Sequence, residues 1–172
     1  MIVLIDGASG SGKSTLAKQL ARYLQWPIIH LDDFYPGWSG LRAGSEILAH
    51  SVLAEKNPGY YQWDWEKDYR GRWIDTDYED VIIEGVGCLT EESLLAARRK
   101  GTVLSVVLRL SVEKRKQRAL QRDPSYAPFW HMWAAQEEKH WSVMPIPDFC
   151  IEVETGTITR YDERNFDCRS SF

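Results

Sequence analysis

Residues 1–15, MIVLIDGASGSGKST, decide the fold of this chain. Residues 1–6 are a short apolar run, which predicts a buried strand. Lys13–Leu24 carries Leu and Ala at helical spacing, which predicts an amphipathic helix. Between them, residues 7–14 fit the pattern GxxxxGK[ST]. Its glycines allow backbone amides to turn inward around an anion, and the positive end of the helix dipole faces the same place. The stretch therefore predicts a phosphate-binding loop between a strand and a helix.

The loop predicts which residues contact a nucleoside triphosphate. In such a loop the lysine reaches the β- and γ-phosphates and the hydroxyl of the next residue holds Mg²⁺. We assign the phosphate contacts to Gly7, Ala8, Ser9, Gly10, Ser11, Gly12, Lys13, Ser14 and Thr15. A triphosphate site needs a second acid for the metal, which here is Glu84 after the apolar run 81–83. Ser14 and Glu84 are thus the expected metal-binding residues.

Further short apolar runs alternate with helical patterns along the chain. We predict strands at 27–31, 80–84, 102–110 and 148–153, and helices at 45–56, 90–100, 111–122 and 128–141. This alternation predicts right-handed βαβ units, and so a three-layer α/β fold with a five-stranded parallel sheet. Residues 60–77 show no clear period and are predicted to be irregular. Residues from 155 onward are predicted to be a polar tail or an edge hairpin.

Length and composition favour one globular domain over residues 1–172. With 21 Lys and Arg against 25 Asp and Glu, the net charge is −4, so we expect no general attraction to nucleic acid or to an anionic membrane. No apolar run approaches the ~18 residues of a membrane-spanning helix. Cys88, Cys150 and Cys168 include no CxxC pair, which fits a reduced, cytoplasmic location.

The chain lacks the motifs of several nucleotide-binding classes. It has no guanine-reading NKxD motif and no transporter signature such as LSGGQ, which leaves a small kinase. Residues 32–35, Asp-Asp-Phe-Tyr, follow the second predicted strand. Strand ends open onto the ligand crevice of a parallel sheet, and a carboxylate there can accept the proton of an attacking hydroxyl.

At these residues the chain resembles the uridine kinase and nicotinamide riboside kinase group of P-loop kinases, and more closely the uridine-kinase-like bacterial proteins without an assigned substrate. The resemblance covers most of residues 1–142. It implies a strand order of 2-3-1-4-5, ATP as the donor and Mg²⁺ as the cofactor. It also implies that Asp32 is the catalytic base and that Asp33 contacts the substrate or the surroundings of the metal.

The same resemblance assigns roles to two later segments. Within Trp63-Asp64-Trp65, Asp64 takes the position of an aspartate that binds sugar hydroxyls. Residues 111–128 take the position of a lid whose helix bears three catalytic arginines on one face, Arg115, Arg118 and Arg122. The loop lysine Lys13 is the other predicted catalytic cation.

The eight tryptophans lie in two groups, which would flank the acceptor cleft. Aromatic faces stack on planar bases, so we predict a nucleoside-like small-molecule acceptor contacted by Tyr35, Trp63 and Trp130. Three alternatives stay open. The first is that the tryptophans are core residues, and the second is that the acceptor is another metabolite, such as a nucleoside monophosphate, a pantothenate-like compound or a sugar acid. The third is that the chain is a nucleotide-binding regulatory module without phosphoryl transfer. The oligomeric state also stays open.

Overall fold

The computed structural model describes residues 1–161, which form one six-stranded sheet, a separate two-stranded hairpin and five α-helices. In chain order the elements are β1 Ile2–Gly7, α1 Lys13–Leu24, β2 Ile28–His30, α2 Leu41–Ile47, β3 Gly59–Asp64, β4 Tyr69–Asp75, β5 Val81–Glu84, α3 Glu91–Lys100, β6 Val103–Arg109, α4 Val112–Arg122, α5 Trp130–Val143, β7 Phe149–Glu152 and β8 Thr157–Arg160.

The sheet has the order β2-β5-β1-β6-β7-β8. The first five of these strands are parallel and lie in the order expected, which confirms the α/β class. The predicted count of five was wrong, because β8 folds back antiparallel on β7 as an edge hairpin. The strand β1 lies between β5 and β6, so the loop that follows β1 emerges at the middle of the sheet edge.

The core has two layers, one on each face of the sheet. Along β1, Ile2 and Leu4 join the larger apolar cluster, whereas Val3 and Ile5 join the smaller one beneath α1. This alternation is the period of two that a strand imposes on its side chains. Every residue of β1 is buried, as a central parallel strand covered on both faces requires.

Two helices differ from their predicted bounds. The helix predicted at 45–56 begins at Leu41 and continues beyond α2 as a π-helical segment, Leu48–Val52. Gly44 packs against the ring of Tyr35, where a Cβ would lie 2.4 Å from Cδ1, so α2 passes close over this ring. The helix predicted at 128–141 begins at Trp130, because residues Pro124–Phe129 form 3-10 turns that bring Pro128 ahead of it.

The prediction that residues 60–77 are irregular was wrong, because they form the β3–β4 hairpin with a bulge between Tyr61 and Trp63. Tyr60 points inward and packs on Phe34, with ring centroids 4.6 Å apart. Tyr61 points outward and packs edge-on against Trp73. Both faces of the hairpin therefore carry aromatic side chains, and the bulge shifts the alternation, so no period of two is visible.

None of the helices within residues 1–161 combines the length and the apolar character that crossing a bilayer requires. Cys88 and Cys150 are buried thiols, and Cys168 lies outside the described residues.

Candidate functional site

The loop between β1 and α1 has the geometry of a phosphate cradle. Gly10 and Gly12 take φ values of 81° and 102°, a left-handed backbone that favours glycine. A Cβ on Gly12 would meet no atom closer than 4.0 Å, so the loop is open there. Lys13 begins α1 with its side chain largely buried, and the Ser11 hydroxyl is buried without a partner among the described residues. The residues predicted to contact phosphates thus form one concave turn at a helix N-terminus.

The buried carboxylate of Asp6 holds the start of this loop. Its Oδ1 accepts hydrogen bonds from the amides of Gly7 at 2.7 Å and Gly87 at 3.2 Å. Its Oδ2 accepts from the amide of Leu89 at 2.8 Å and lies 3.0 Å from Nε2 of His140. Asp6 therefore ties the loop to the segment after β5 and to α5. Sequence reasoning missed this role, since Asp6 was read only as the end of an apolar run.

Glu84 lies beside the loop, at the end of β5. The sheet register places it next to Ile5 of β1 and His30 of β2. Burial raises the pKa of Glu84. The hydrogen bond with His30 at 2.6 Å and the nearby Lys13 and Ser14 lower it by more than burial raises it, so the pKa lies below the usual value. Glu84 is therefore a carboxylate at neutral pH.

Glu84 and Ser14 together fit a bound Mg²⁺. The second carboxylate oxygen of Glu84, Oε2, is buried and accepts no hydrogen bond from residues 1–161. Mg²⁺ prefers oxygen ligands and keeps several waters, so it commonly binds through one or two side chains and substrate phosphates. No group of three or more His, Cys, Asp or Glu within the described residues could hold a metal by itself. Glu84 and Ser14 would therefore bind the ion together with nucleotide phosphates.

Asp32 follows β2, in the 3-10 turn Leu31–Asp33. The surrounding protein partly desolvates the Asp32 carboxyl and so raises its pKa, although the residue keeps a solvent-exposed surface. Lys13 is the strongest charged group acting against this rise, and Arg122 also lowers the pKa. Lys13 and one predicted lid arginine, Arg122, thus lie within electrostatic reach of Asp32. The Asp32 carbonyl accepts a hydrogen bond from Nε1 of Trp65 at 2.8 Å, and the Asp33 carboxylate accepts one from the Tyr60 hydroxyl at 3.3 Å.

The three predicted lid arginines lie in different surroundings. Arg118 and Arg122 are exposed on α4. Arg115 is not, since its guanidinium is paired with the buried Glu137 at 3.1 Å and its Nε donates to the Leu110 carbonyl at 3.1 Å. This pairing commits the Arg115 guanidinium to protein groups and does not favour the predicted role on the substrate, although Arg115 also lines the cavity beside the phosphate loop described below.

Two residues predicted to contact the acceptor are also part of the core. Tyr35 is 1% exposed and donates its hydroxyl to the Val86 carbonyl at 2.6 Å. Trp130 is 4% exposed and lies with its ring 5.9 Å from the Arg115 guanidinium. Neither side chain offers a surface to a substrate in this structure, so these two assignments are corrected to packing roles.

Trp38, which the sequence did not single out, is the centre of an aromatic cluster close to Asp32. Its ring is stacked on Phe129 at 4.2 Å and on Tyr126 at 5.2 Å, and it contacts Trp65 at 5.1 Å. The cluster therefore joins the loop after Asp32, the hairpin and the segment after α4. Two buried indole N–H groups, those of Trp63 and Trp133, have no acceptor in the described part of the chain.

Asp64 lies at the hairpin turn. Its Oδ1 accepts hydrogen bonds from the backbone amides of Glu66 at 3.1 Å and Lys67 at 3.0 Å. The first of these, from two residues on, closes an Asx turn, in which an aspartate stabilises its own turn. The bond to the Lys67 amide is the main reason why the pKa of Asp64 lies below its usual value. Asp64 thus has a local role in the turn whatever it binds.

A cavity of about 340 Å³ lies beside the phosphate loop, at the end of β6. It is lined by Ala8, by residues 108–112, by Arg115 and by Glu152. Arg109 and Glu152 form an ion pair across it, with 3.2 Å between Nη1 and Oε1. The position next to the loop suits the base or ribose of a bound nucleotide.

No protein-family model and no curated protein matches this chain. Solved structures do. A protein assigned as a fructose transport system kinase from Silicibacter sp. TM1040 has a TM-score of 0.56 at 19% identity, over 88% of this chain and 89% of the other. A gluconokinase from Sinorhizobium meliloti 1021 has a TM-score of 0.45 at 18% identity, over 84% and 75%. Shikimate kinase from Aquifex aeolicus has a TM-score of 0.41 at 19% identity, over 78% of this chain and 82% of the other.

These similarities concern the fold. At this identity the first structure shows that the chain shares its α/β fold with that protein, and the other two TM-scores are too low to add to this. The uridine-kinase-like subgroup is not distinguished by them.

Proposed function

We propose that this protein is an ATP-dependent kinase that transfers the γ-phosphoryl group to a hydroxyl of a small, nucleoside-like metabolite. The observation that carries the proposal is the placement of Asp32 directly after β2, at the same edge of the sheet as the phosphate loop after β1, with Glu84 at the end of the strand between them. Phosphoryl transfer needs a phosphate cradle and a proton acceptor on neighbouring strand ends, and a site that only binds a nucleotide does not need the second.

The phosphate loop would bind the donor. Its amides and Lys13 hold the β- and γ-phosphates, while Ser14 and Glu84 hold the metal. Bound Mg²⁺ neutralises charge on the phosphate oxygens. The cavity beside Ala8 and Arg109 receives the base or ribose, so the triphosphate runs toward Asp32.

Asp32 would remove the proton of the acceptor hydroxyl as its oxygen bonds to the γ-phosphorus and ADP leaves. Its raised pKa suits this role, because a base works best when its pKa approaches the working pH. Lys13 and Arg122 offset the negative charge that Asp32, Glu84 and the phosphates bring together. Arg118, exposed on α4, is the second arginine that a closing lid would bring in.

The aromatic cluster supports a flat or ring-shaped acceptor. Trp65 is partly exposed and anchored by its bond to the Asp32 carbonyl, so its ring lies next to the proposed base. A sugar-type acceptor is the second candidate, because the first structural neighbour is named for fructose transport and rings of sugars also pack on tryptophan.

The test is ADP release with ATP and Mg²⁺ across nucleosides, nucleoside monophosphates, sugars, sugar acids and pantothenate. We expect turnover with at least one nucleoside. Asp32→Asn is the matched variant, because it keeps size and polarity but cannot take the proton. It should lower kcat by about 100-fold or more while ATP affinity changes little.

Two outcomes would contradict the proposal. ATP binding without ADP release for any acceptor would favour a regulatory module. Near-normal turnover by Asp32→Asn would place the base elsewhere, with Asp33 as the next candidate.

A further inference from the structure

Glu137 of α5 is a buried carboxylate that the proposed reaction does not use. It is 2% exposed. Its Oε1 accepts a hydrogen bond from the amide of Ser9 at 2.7 Å, and its Oε2 accepts one from Nη1 of Arg115 at 3.1 Å. One side chain of α5 thus bonds to the phosphate loop and to the lid helix at once.

Arg115 contacts the same part of the loop. Its Nη1 lies 3.4 Å from the Ser9 carbonyl oxygen, at the long end of hydrogen-bond distance. Its own carbonyl packs against Gly10, where a Cβ would lie only 2.3 Å away. Ser9 and Gly10, the tip of the loop, are therefore enclosed between the first turn of α4 and the Glu137 carboxylate.

In this arrangement the backbone amide of Ser9 bonds to a side chain of the protein itself. A carboxylate beside an anion-binding loop repels phosphate unless a cation neutralises it, and here Arg115 does so. A buried ion pair is retained at little cost only when further hydrogen bonds satisfy both partners. Glu137 has the Ser9 amide and Arg115 has the Leu110 carbonyl, so both conditions are met.

We propose that Glu137 is a positioning residue for the nucleotide: with Arg115 it fixes the tip of the phosphate loop in its binding shape before the ligand arrives. The proposal rests on the proposed function only in taking the loop to bind nucleotide phosphates. A preformed loop loses less conformational freedom on binding, and this raises affinity. Loss of the Glu137–Arg115 pair should therefore weaken nucleotide binding and leave the proton transfer at Asp32 unchanged.

Glu137→Gln tests this directly, because it keeps the size and an oxygen for the Ser9 amide but removes the charge that holds Arg115. Glu138→Gln is the matched control, since Glu138 is the next residue of the same helix and is exposed. The probe is ADP with Mg²⁺, titrated by calorimetry well below the melting temperature of each variant. We expect Kd to rise about tenfold or more for Glu137→Gln and to stay unchanged for Glu138→Gln.

Kinetics and a second substitution separate positioning from simple stability. ATP KM should rise with Kd while kcat stays within about threefold. Arg115→Lys keeps the charge but not the planar fork that reaches Glu137 and the Leu110 carbonyl together, so it should also raise Kd. The loss of binding free energy in the double variant should be clearly smaller than the sum of the two single losses, because both changes disrupt one pair.

The outcomes are distinguishable. If wild-type protein binds ADP and both folded variants bind it equally well, Glu137 has only a packing role and the proposal is overturned. If Glu137→Gln does not fold, Arg115→Lys decides by the same measurement. If wild-type protein fails to bind ADP at all, the nucleotide site itself is refuted, and this proposal with it.

Discussion

Replacing Gly10 by alanine tests the enclosure of the loop tip at its tightest contact. Gly10 has φ +81°, and an alanine Cβ there would lie 2.3 Å from the Arg115 carbonyl oxygen. The left-handed backbone alone costs a non-glycine residue about 1–2 kcal/mol. The Cβ and the Arg115 carbonyl oxygen must also separate by about 1 Å to reach van der Waals distance. Both atoms are fixed to the backbone, so the backbone itself must move.

That movement would pull Ser9 away from Glu137. A hydrogen bond to a charged group contributes about 1.5–3 kcal/mol, so the total loss of stability is about 2.5–5 kcal/mol. For a chain of this length, 1 kcal/mol shifts Tm by roughly 2–4 °C, so Gly10→Ala should lower Tm by about 5–20 °C in differential scanning calorimetry.

Two other glycines serve as controls. Gly156, in the β7–β8 turn, has φ +72° with open space around its Cα, so Gly156→Ala carries the backbone cost alone, about 2–8 °C. Gly12 also has open space, so Gly12→Ala should cost a similar amount in stability but obstruct ADP binding, because its methyl group fills the cradle. A Tm for Gly10→Ala no lower than that of Gly156→Ala would refute the enclosure.

Three further predictions concern single side chains. Lys13→Ala should abolish most ADP affinity without loss of the fold, measured by calorimetry and circular dichroism; unchanged affinity would end the phosphate-loop assignment. Asp64→Asn preserves a residue that also forms Asx turns, so Tm should hold while KM of a ribonucleoside rises at least about tenfold if Asp64 binds its hydroxyls; an unchanged KM would leave Asp64 only its turn. Hydrogen bonding to Glu84 raises the pKa of His30 above its usual 6.5, so protonated His30 stabilises the fold at low pH and this is lost as pH rises through the raised pKa. Urea unfolding from pH 6 to 8 should therefore show a decline in wild type that His30→Asn lacks, and parallel curves would refute it.

The elements whose positions depend on local sequence patterns were predicted from the sequence alone. The run from β1 through α1 has a buried strand, glycines at left-handed positions and one apolar helix face within two dozen residues, and α1 has the predicted bounds. The helix predicted at 90–100 is also observed, as α3 over Glu91–Lys100, and Thr90 caps it by accepting a hydrogen bond from the Ser93 amide. Such signals need no knowledge of the rest of the chain.

Features that depend on distant contacts escaped prediction. Glu137 stands among polar residues in the sequence, and it is buried only because it meets Ser9, 128 positions earlier, and Arg115, 22 positions earlier. Arg115 was assigned to substrate for the same reason, since its helix position showed a basic face but not the partner beneath it. Tyr35 belongs to the core because α2, α5 and the segment after β5 converge on it, and Trp130 because Tyr126 and Arg115 pack against its ring, which no periodicity reveals.

Both edge strands of the six-stranded sheet are short, with three residues in β2 and four in β8. An outer strand exposes unpaired backbone groups that can recruit the outer strand of another molecule, which is how many proteins begin to aggregate. The longest apolar strands, β1 and β6, lie inside the sheet and are paired on both sides. While the protein stays folded, the longest apolar strands of the six-stranded sheet are thus inaccessible to the edge strand of a second copy.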